Sequence, residues 1–347
     1  MPEIFLEIDS ALNLTLKGSI GTFNVGSNNR ESLEVKYFLT HVGLNFSVGS
    51  DENLLKELAP VREIFNPEQL SFNEIMQRDI DDARVSNELI PYILDNKTTD
   101  LIKFFPPIVV IVLPVKDGEN TPDTLYPKVV SEDVEKNKSN VEKWRVTRAG
   151  EVGSEVFEFE QPILNNNKAD QHDLVALRLN TSKSKLVIVD GQHRAMALLA
   201  LYRNLKDQWS DAKRQPYAKF YEEWTPNFIR SFNLEEVKLP IIMCTVPTLD
   251  ESYAGQGDYN LIKAARSIFL TLNKTARKVS RTRNILLNDN DLISSFMRET
   301  LSKVKNSDVR AEGGLSIHNV ELDQEKQKLN SPIGSAISKT ISECLPR

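Results

Sequence analysis

The chain has 347 residues, 40% of them apolar and 27% charged, with a formal net charge of −6. That is the composition of a globular protein long enough for one large domain or two ordinary ones, and the acidic total excludes a protein that coats nucleic acid with its whole surface, though not a local basic patch. No basic-then-apolar leader opens the sequence and no run of about 18 apolar residues occurs, so a cytoplasmic protein without a membrane span is expected.

Residues 1–60 alternate in short stretches (IFLEID, LNLTLKG, VKYFLTHVGLNFSV) broken by Gly21, Gly26 and Asn28-Asn29, which predicts strands and hairpins. Past Leu70, Ser71 or Asn73 can cap a helix. FNEIMQRDIDDARVSNELIPYILDN then places Ile80, Val85, Leu89, Ile90, Ile93 and Leu94 at helical spacing, with Pro91 as a kink. Its charges Asp79, Asp82 and Arg84 read as a solvated helix face, while Gln77 and Arg78, at the entry, can face a cleft. FFPPIVVIVLPV, residues 104–115, is a β-branched run entered through two prolines and predicts a buried central strand. Residues 116–145 are polar and rich in turn formers, which predicts a surface insertion reaching to about residue 150. EVFEFEQPI, 155–163, alternates as a half-buried strand does.

KLVIVDGQHRAMALLALYRN, residues 185–204, reads as strand, tight turn and helix. Ala195 to Tyr202 are all apolar, so this helix has no solvated face over two turns, and its polar residues are expected in the first turn. Gly191 supplies the turn, and the free N–H groups of Gln192, His193 and Arg194 open the helix with the positive end of its dipole behind them. A phosphate fits there; Arg194 can add charged donors, and His193 can donate to phosphate or relay a proton. The structural alternative has Asp190 capping the helix, Gly191 making the turn and Arg194 paired with some acid.

Downstream, a polar helical connection is expected over about 205–236, a strand at VKLPIIMCTVP (237–247), a mobile loop over 250–260, and helices at 261–276 and 291–304. Cys244 lies in the strand and is expected to pack as a small hydrophobe; with Cys344 the only other cysteine, neither a disulfide nor a zinc site is called for. LNKTARKVSRTRN, 272–284, carries Lys274, Arg277, Lys278, Arg281 and Arg283 with no acid before Asp289. This is either a solvated helix end or a phosphate surface for nucleotide or DNA backbone, with Asn273 able to fix a loop or a base. The order of elements suggests an α/β or α+β protein.

With DGQHR in view, the chain resembles the DGQHR-domain family, which includes the DndB proteins of DNA phosphorothioation gene clusters. The likeness runs over about residues 72–300: QRDIDDARVSNELIPYIL with FFPPIVVIVLP, then VIVDGQHRAMAL, then FLTLNKTARKVSRTRNILLNDND. It implies an α+β, ParB/sulfiredoxin-like mixed-sheet core at 71–260, between an N-terminal β-rich segment (1–70) and a C-terminal helical region (261–347). In ParB-like proteins a Gly-x-x-Arg box binds nucleotide phosphates, and Gly191 and Arg194 match it. Sulfiredoxins have a reactive cysteine where this chain has Gln192, which argues against sulfinic acid reduction.

The resemblance thus implies a DNA-modification or anti-phage protein that binds ATP or another nucleoside triphosphate, with or without Mg²⁺, and contacts DNA. In that reading Gly191, Gln192 and His193 cradle phosphates through their backbone donors, Arg194 neutralises charge, Asp190 holds Mg²⁺ or orients water, and Lys274 or Arg277 closes over the ligand. Lys274, Arg277, Lys278, Arg281 and Arg283 would meet DNA. No Walker A loop is present, so nucleotide binding is expected more than turnover. Two alternatives are a non-catalytic DNA-binding regulator of the modification genes and a module that docks other defence proteins. Self-association stays open.

Overall fold

The computed structural model describes residues 11–23, 33–44, 50–65, 80–94, 103–116, 118–119, 121–138, 141–164, 167–172, 174–234, 237–275 and 292–306. The chain divides into two units, residues 1–273 and 274–347. In the first, the strands are β1 (Leu14–Lys17), β2 (Ser19–Phe23), β3 (Val35–Gly43), β4 (Leu58–Pro60), β5 (Ile108–Pro114), β6 (Val129–Lys138), β7 (Val141–Ala149), β8 (Phe157–Pro162), β9 (Ala176–Leu179), β10 (Ser184–Asp190) and β11 (Lys238–Thr245). The helices are α1 (Ser50–Glu57), α2 (Val61–Ile64), α3 (Asp82–Arg84), α4 (Ile90–Leu94), α5 (Gln192–Lys206) and α6 (Pro226–Arg230), with a π turn, Val85–Leu89, joining α3 to α4; α7 (Leu261–Thr275) runs to the division between the units, which falls in its last turn. In the second unit α8 (Leu292–Asn306) exposes Leu292, Ile293 and Phe296. No helix among the described residues is long and apolar enough to cross a membrane.

The architecture is α+β with two sheets. One is antiparallel throughout, in the order β1-β9-β8-β7-β6; the other is mixed, in the order β2-β3-β11-β5-β10-β4, with β11/β5 and β10/β4 parallel. Phe38 of β3 meets Phe159 of β8 with ring centroids 6.3 Å apart, and Tyr126 meets Phe157 edge-on at 5.1 Å, so the antiparallel sheet stacks on the mixed one. Helix α5 packs on β4, β5 and β10. Sandwiched this way, β5 is buried at all seven positions, as its unbroken apolar run predicts. β10 and β11, beside it, follow the expected spans closely.

Three expectations need correction. The polar stretch 116–145 is no mere excursion: β6 and β7 form a hairpin that completes the antiparallel sheet. Its polar residues are cross-strand partners, Asp133 with Arg145 at 2.8 Å and Ser131 with Thr147 at 2.9 Å, so their polarity stabilises pairing rather than marking a loop. β8 is buried at every position rather than half-buried. Phe157 and Phe159 face the core, and Glu158 and Glu160 on the other face lie under Arg178 and Lys136, at 3.2 Å and 2.9 Å. Burial lifts the Glu158 carboxyl above its ordinary value despite Lys136 and Arg178. Finally, α1 stands where only strands were expected, burying Leu54 and Leu55. Strands β1 to β4, from the first 60 residues, are part of both sheets.

Candidate functional site

The mouth of α5 is built by the strand that feeds it. β10 pairs with β5 in regular register to Ile188↔Val110, then shifts so that Asp190 faces Val109. That irregularity ends the strand beside Pro107. Gly191 follows as N-cap at φ +78, the left-handed region, and no side chain caps the helix. Asp190 is therefore not the cap. It pairs instead with Arg194, its Oδ2 3.1 Å from Nη2, and Nη2 also donates to the Pro107 carbonyl at 3.2 Å. The guanidinium folds back over the turn: a Cβ on Gly191 would lie 2.7 Å from Nη2 and 2.9 Å from Nε. Glycine is required here twice over, by its dihedral angle and as the seat of Arg194.

This much agrees with the structural alternative, since Arg194 does have an acidic partner. Two features go beyond it. The Arg194 Nε is buried and has no hydrogen-bond partner, an uncompensated donor of the kind an incoming oxyanion satisfies. The first main-chain hydrogen bond of α5 is Ala195 N–H to Gly191 C=O, at 2.8 Å, which leaves the N–H groups of the three residues before it to the helix mouth.

The side chains of Gln192 and His193 are both engaged away from a phosphate at the mouth, so a cradle there is one of backbone N–H groups, and the expected His193 side-chain donor is an acceptor instead. Gln192 is buried and its amide donates to the Ile188 carbonyl at 3.3 Å, so only its backbone N–H serves the mouth. His193 accepts, through Nε2, the backbone N–H of Asp81 at 3.0 Å. An accepting Nε2 means a neutral ring with its proton on Nδ1. Burial, then the Arg84 guanidinium, hold the imidazole below its ordinary value, against the pull of Asp81 and Asp82.

Behind the mouth lies a polar network that the sequence reading missed. Arg62 of α2 forks onto Asp82 at 2.6 and 2.8 Å, and the Tyr221 hydroxyl donates to the same carboxylate at 2.6 Å. The Arg62 guanidinium also lies 3.5 Å from the centre of the Tyr217 ring. Asp82, read as a solvated charge, is thus buried at a junction of three segments. The next residue of α2, Glu63, forks onto Arg203 of α5 at 2.8 and 2.8 Å and accepts from Arg214 Nε at 3.0 Å. Arg203 is 2% exposed, so the polar residues of α5 are not confined to its first turn. Burial lowers its guanidinium below the ordinary value, with Glu63 opposing. The one available signal was Arg203 itself, at the end of a run of apolar residues that had to be buried.

Asn273 and Lys274 lie on the last turn of α7. Gln77, Arg78, Arg277, Lys278, Arg281 and Arg283 lie outside the described residues. Among the described residues no three His, Cys, Asp or Glu side chains form a metal cluster. With Asp190 as the carboxylate at the mouth, a Mg²⁺ ion would fit only if carried mostly by phosphate oxygens. A groove of about 670 Å³ lined by Pro114, Lys128, Arg148, Glu151, Lys183 and Glu251 lies elsewhere. Lys183 precedes β10 and Gly191 follows it, so the two are separated by the strand's seven residues, roughly 23 Å. No protein-family model, curated protein or solved structure matches the chain.

Proposed function

We propose that this chain is a nucleotide-binding protein of the DGQHR type, with a ParB/sulfiredoxin-like core, serving a DNA-modification or anti-phage system. The phosphates of a nucleoside triphosphate, ATP in the first instance, rest on the backbone N–H groups of Gln192, His193 and Arg194. The observation that carries this reading is the partnerless Arg194 Nε beside the uncapped start of a 15-residue helix. Mg²⁺ enters with the phosphates, and hydrolysis, lacking a Walker A loop, is slow or absent. Contact with DNA rests on the five basic residues between 274 and 283. With no turnover at all, the same protein is a DNA-binding regulator, its nucleotide setting its affinity for DNA.

The test is thermal shift of the full chain with ATP·Mg²⁺, CTP·Mg²⁺ and duplex DNA, on the wild type and Arg194→Ala. A nucleotide shift in the wild type that is lost in the variant is expected. A shift of equal size in both proteins would remove the phosphates from this helix. Phosphate release with and without DNA separates turnover from binding. Unchanged DNA affinity after neutralising Lys274, Arg277 and Lys278 would reduce that segment to a solvated helix end.

A further inference from the structure

One imidazole serves two structures. His193 sits in the first turn of α5, among the N–H groups of the helix mouth, yet its Nε2 is the acceptor for the backbone N–H of Asp81, the residue that caps α3. That bond ties the helical segment 81–94 to α5 at its N-terminal end, and it exists only while Nε2 keeps its lone pair. We infer that His193 is a latch: it holds the start of α3 while the mouth of α5 is empty, and releases it when an oxyanion there draws a proton onto the ring. This rests on the phosphate reading above, and adds to it a conformational output.

The surrounding charges suit such a device. On its own helix the ring has Arg194 and, just before it, Asp190, which are paired with each other. From the α3 side come Asp81, Asp82 and Arg84, and from α2 comes Arg62. The carboxylates are already engaged: Asp81 accepts the Arg84 N–H at 3.0 Å, and Asp82 is held by Arg62 and Tyr221. Burial, with the Arg84 and Arg62 guanidinium groups, outweighs the pull of these two engaged carboxylates, so the empty site favours the neutral ring. A phosphate brings at least one negative charge against the same turn and favours the protonated ring. The proton comes from solvent, and both ring nitrogens then carry N–H. Nε2 can no longer accept from Asp81 and two donors face each other, so that contact must open. Binding and proton uptake are therefore linked, and the bond to Asp81 is given up.

The experiment is amide hydrogen exchange over residues 81–94 of the full chain, corrected for intrinsic rates, on the wild type, His193→Gln and Arg194→Ala. Glutamine can accept the Asp81 N–H but cannot be protonated. Without ligand, lowering the pH from 8 to 5.5 should cost the wild type about tenfold in protection at the start of α3, the scale of one lost hydrogen bond. His193→Gln should keep that protection. Equal loss in both proteins overturns the latch. At pH 7, saturating ATP·Mg²⁺ should reproduce the loss in the wild type alone, with proton uptake visible as a buffer-dependent binding enthalpy. If ATP binds through Arg194 but leaves 81–94 protected, the coupling is refuted while the phosphate site stands. If the pH response is present and ATP does not bind, the phosphate reading fails and takes the coupling with it.

Discussion

Gly191 and Gly255 offer a matched pair of substitutions. Their φ angles are +78° and +79°, but a Cβ at Gly255 meets nothing within 4 Å, whereas at Gly191 it lands 2.7 Å from Arg194 Nη2 and 2.9 Å from Nε. Alanine at either site incurs the left-handed backbone strain, about 1 kcal/mol. At Gly191 it also displaces the guanidinium. The Asp190 contact, with side chains 24% and 30% exposed, is worth about 0.2–1 kcal/mol, and the bond to the Pro107 carbonyl about 1 kcal/mol. Gly191→Ala should therefore cost about 2–3 kcal/mol and Gly255→Ala about 1 kcal/mol by urea denaturation with linear extrapolation. In an Arg194→Ala background the extra cost at Gly191 should disappear, leaving only the backbone strain of about 1 kcal/mol. Equal costs at the two glycines, or a Gly191→Ala penalty indifferent to Arg194, would refute the seating of Arg194 over the turn. Phosphate-dependent stabilisation should also be lost in Gly191→Ala and kept in Gly255→Ala.

Glu63→Gln strands Arg203, at 2% exposure, against a neutral partner, and should cost about 3–5 kcal/mol, with much of it regained in Glu63→Leu/Arg203→Met; a single-variant cost below about 1 kcal/mol would mean the pair is hydrated. Gly18→Ala puts a Cβ 2.0 Å from the Leu39 carbonyl oxygen, a backbone atom that cannot swing away, so the variant should lose more than about 3 kcal/mol or fail to fold; a soluble variant with an unchanged urea midpoint would contradict the packing. Burial pushes the Cys244 thiol from 9.0 up to about 12. In a Cys344→Ser background the folded protein should resist a disulfide reagent at pH 8 and react on unfolding. The stabilisation from keeping this thiol protonated is whole below pH 9.0 and is lost as pH rises towards about 12, which pH-dependent urea midpoints of the wild type and Cys244→Ala should reveal by converging above pH 9.0.

The elements that could be read from sequence are those whose local pattern and tertiary environment agree. β5 and β10 are apolar runs that are buried, and α5 is an apolar helix that lies on the mixed sheet. The hairpin of β6 and β7 escaped because its stabilising pairs join residues on opposite strands, Asp133 to Arg145, and each strand alone looks like loop. The turn into α5 was legible at Gly191 and in the pairing of Arg194 with an acid, because Asp190 and Arg194 lie within four residues of each other. The side-chain directions of Gln192 and His193 were not, because Ile188 claims one and Asp81 the other. Arg62 with Asp82, and Glu63 with Arg203, are contacts between segments that no periodicity brings together.

The run from Leu14 to Phe23 has a consequence for the order in which the protein assembles. Its first half pairs with β9, Leu14 opposite Leu179, and its second half with β3, Ser19 opposite Leu39, the change of sheet occurring at Gly18. A single short strip of chain thus hems the free borders of both sheets. During synthesis the β2 half can find its neighbour almost at once, while the β1 half must wait until some 160 further residues have been made, a long loop to close. Until then β1 has no mate of its own. A chain shortened past Phe23 would bare β9 and β3 together, turning two finished margins into templates for a second molecule.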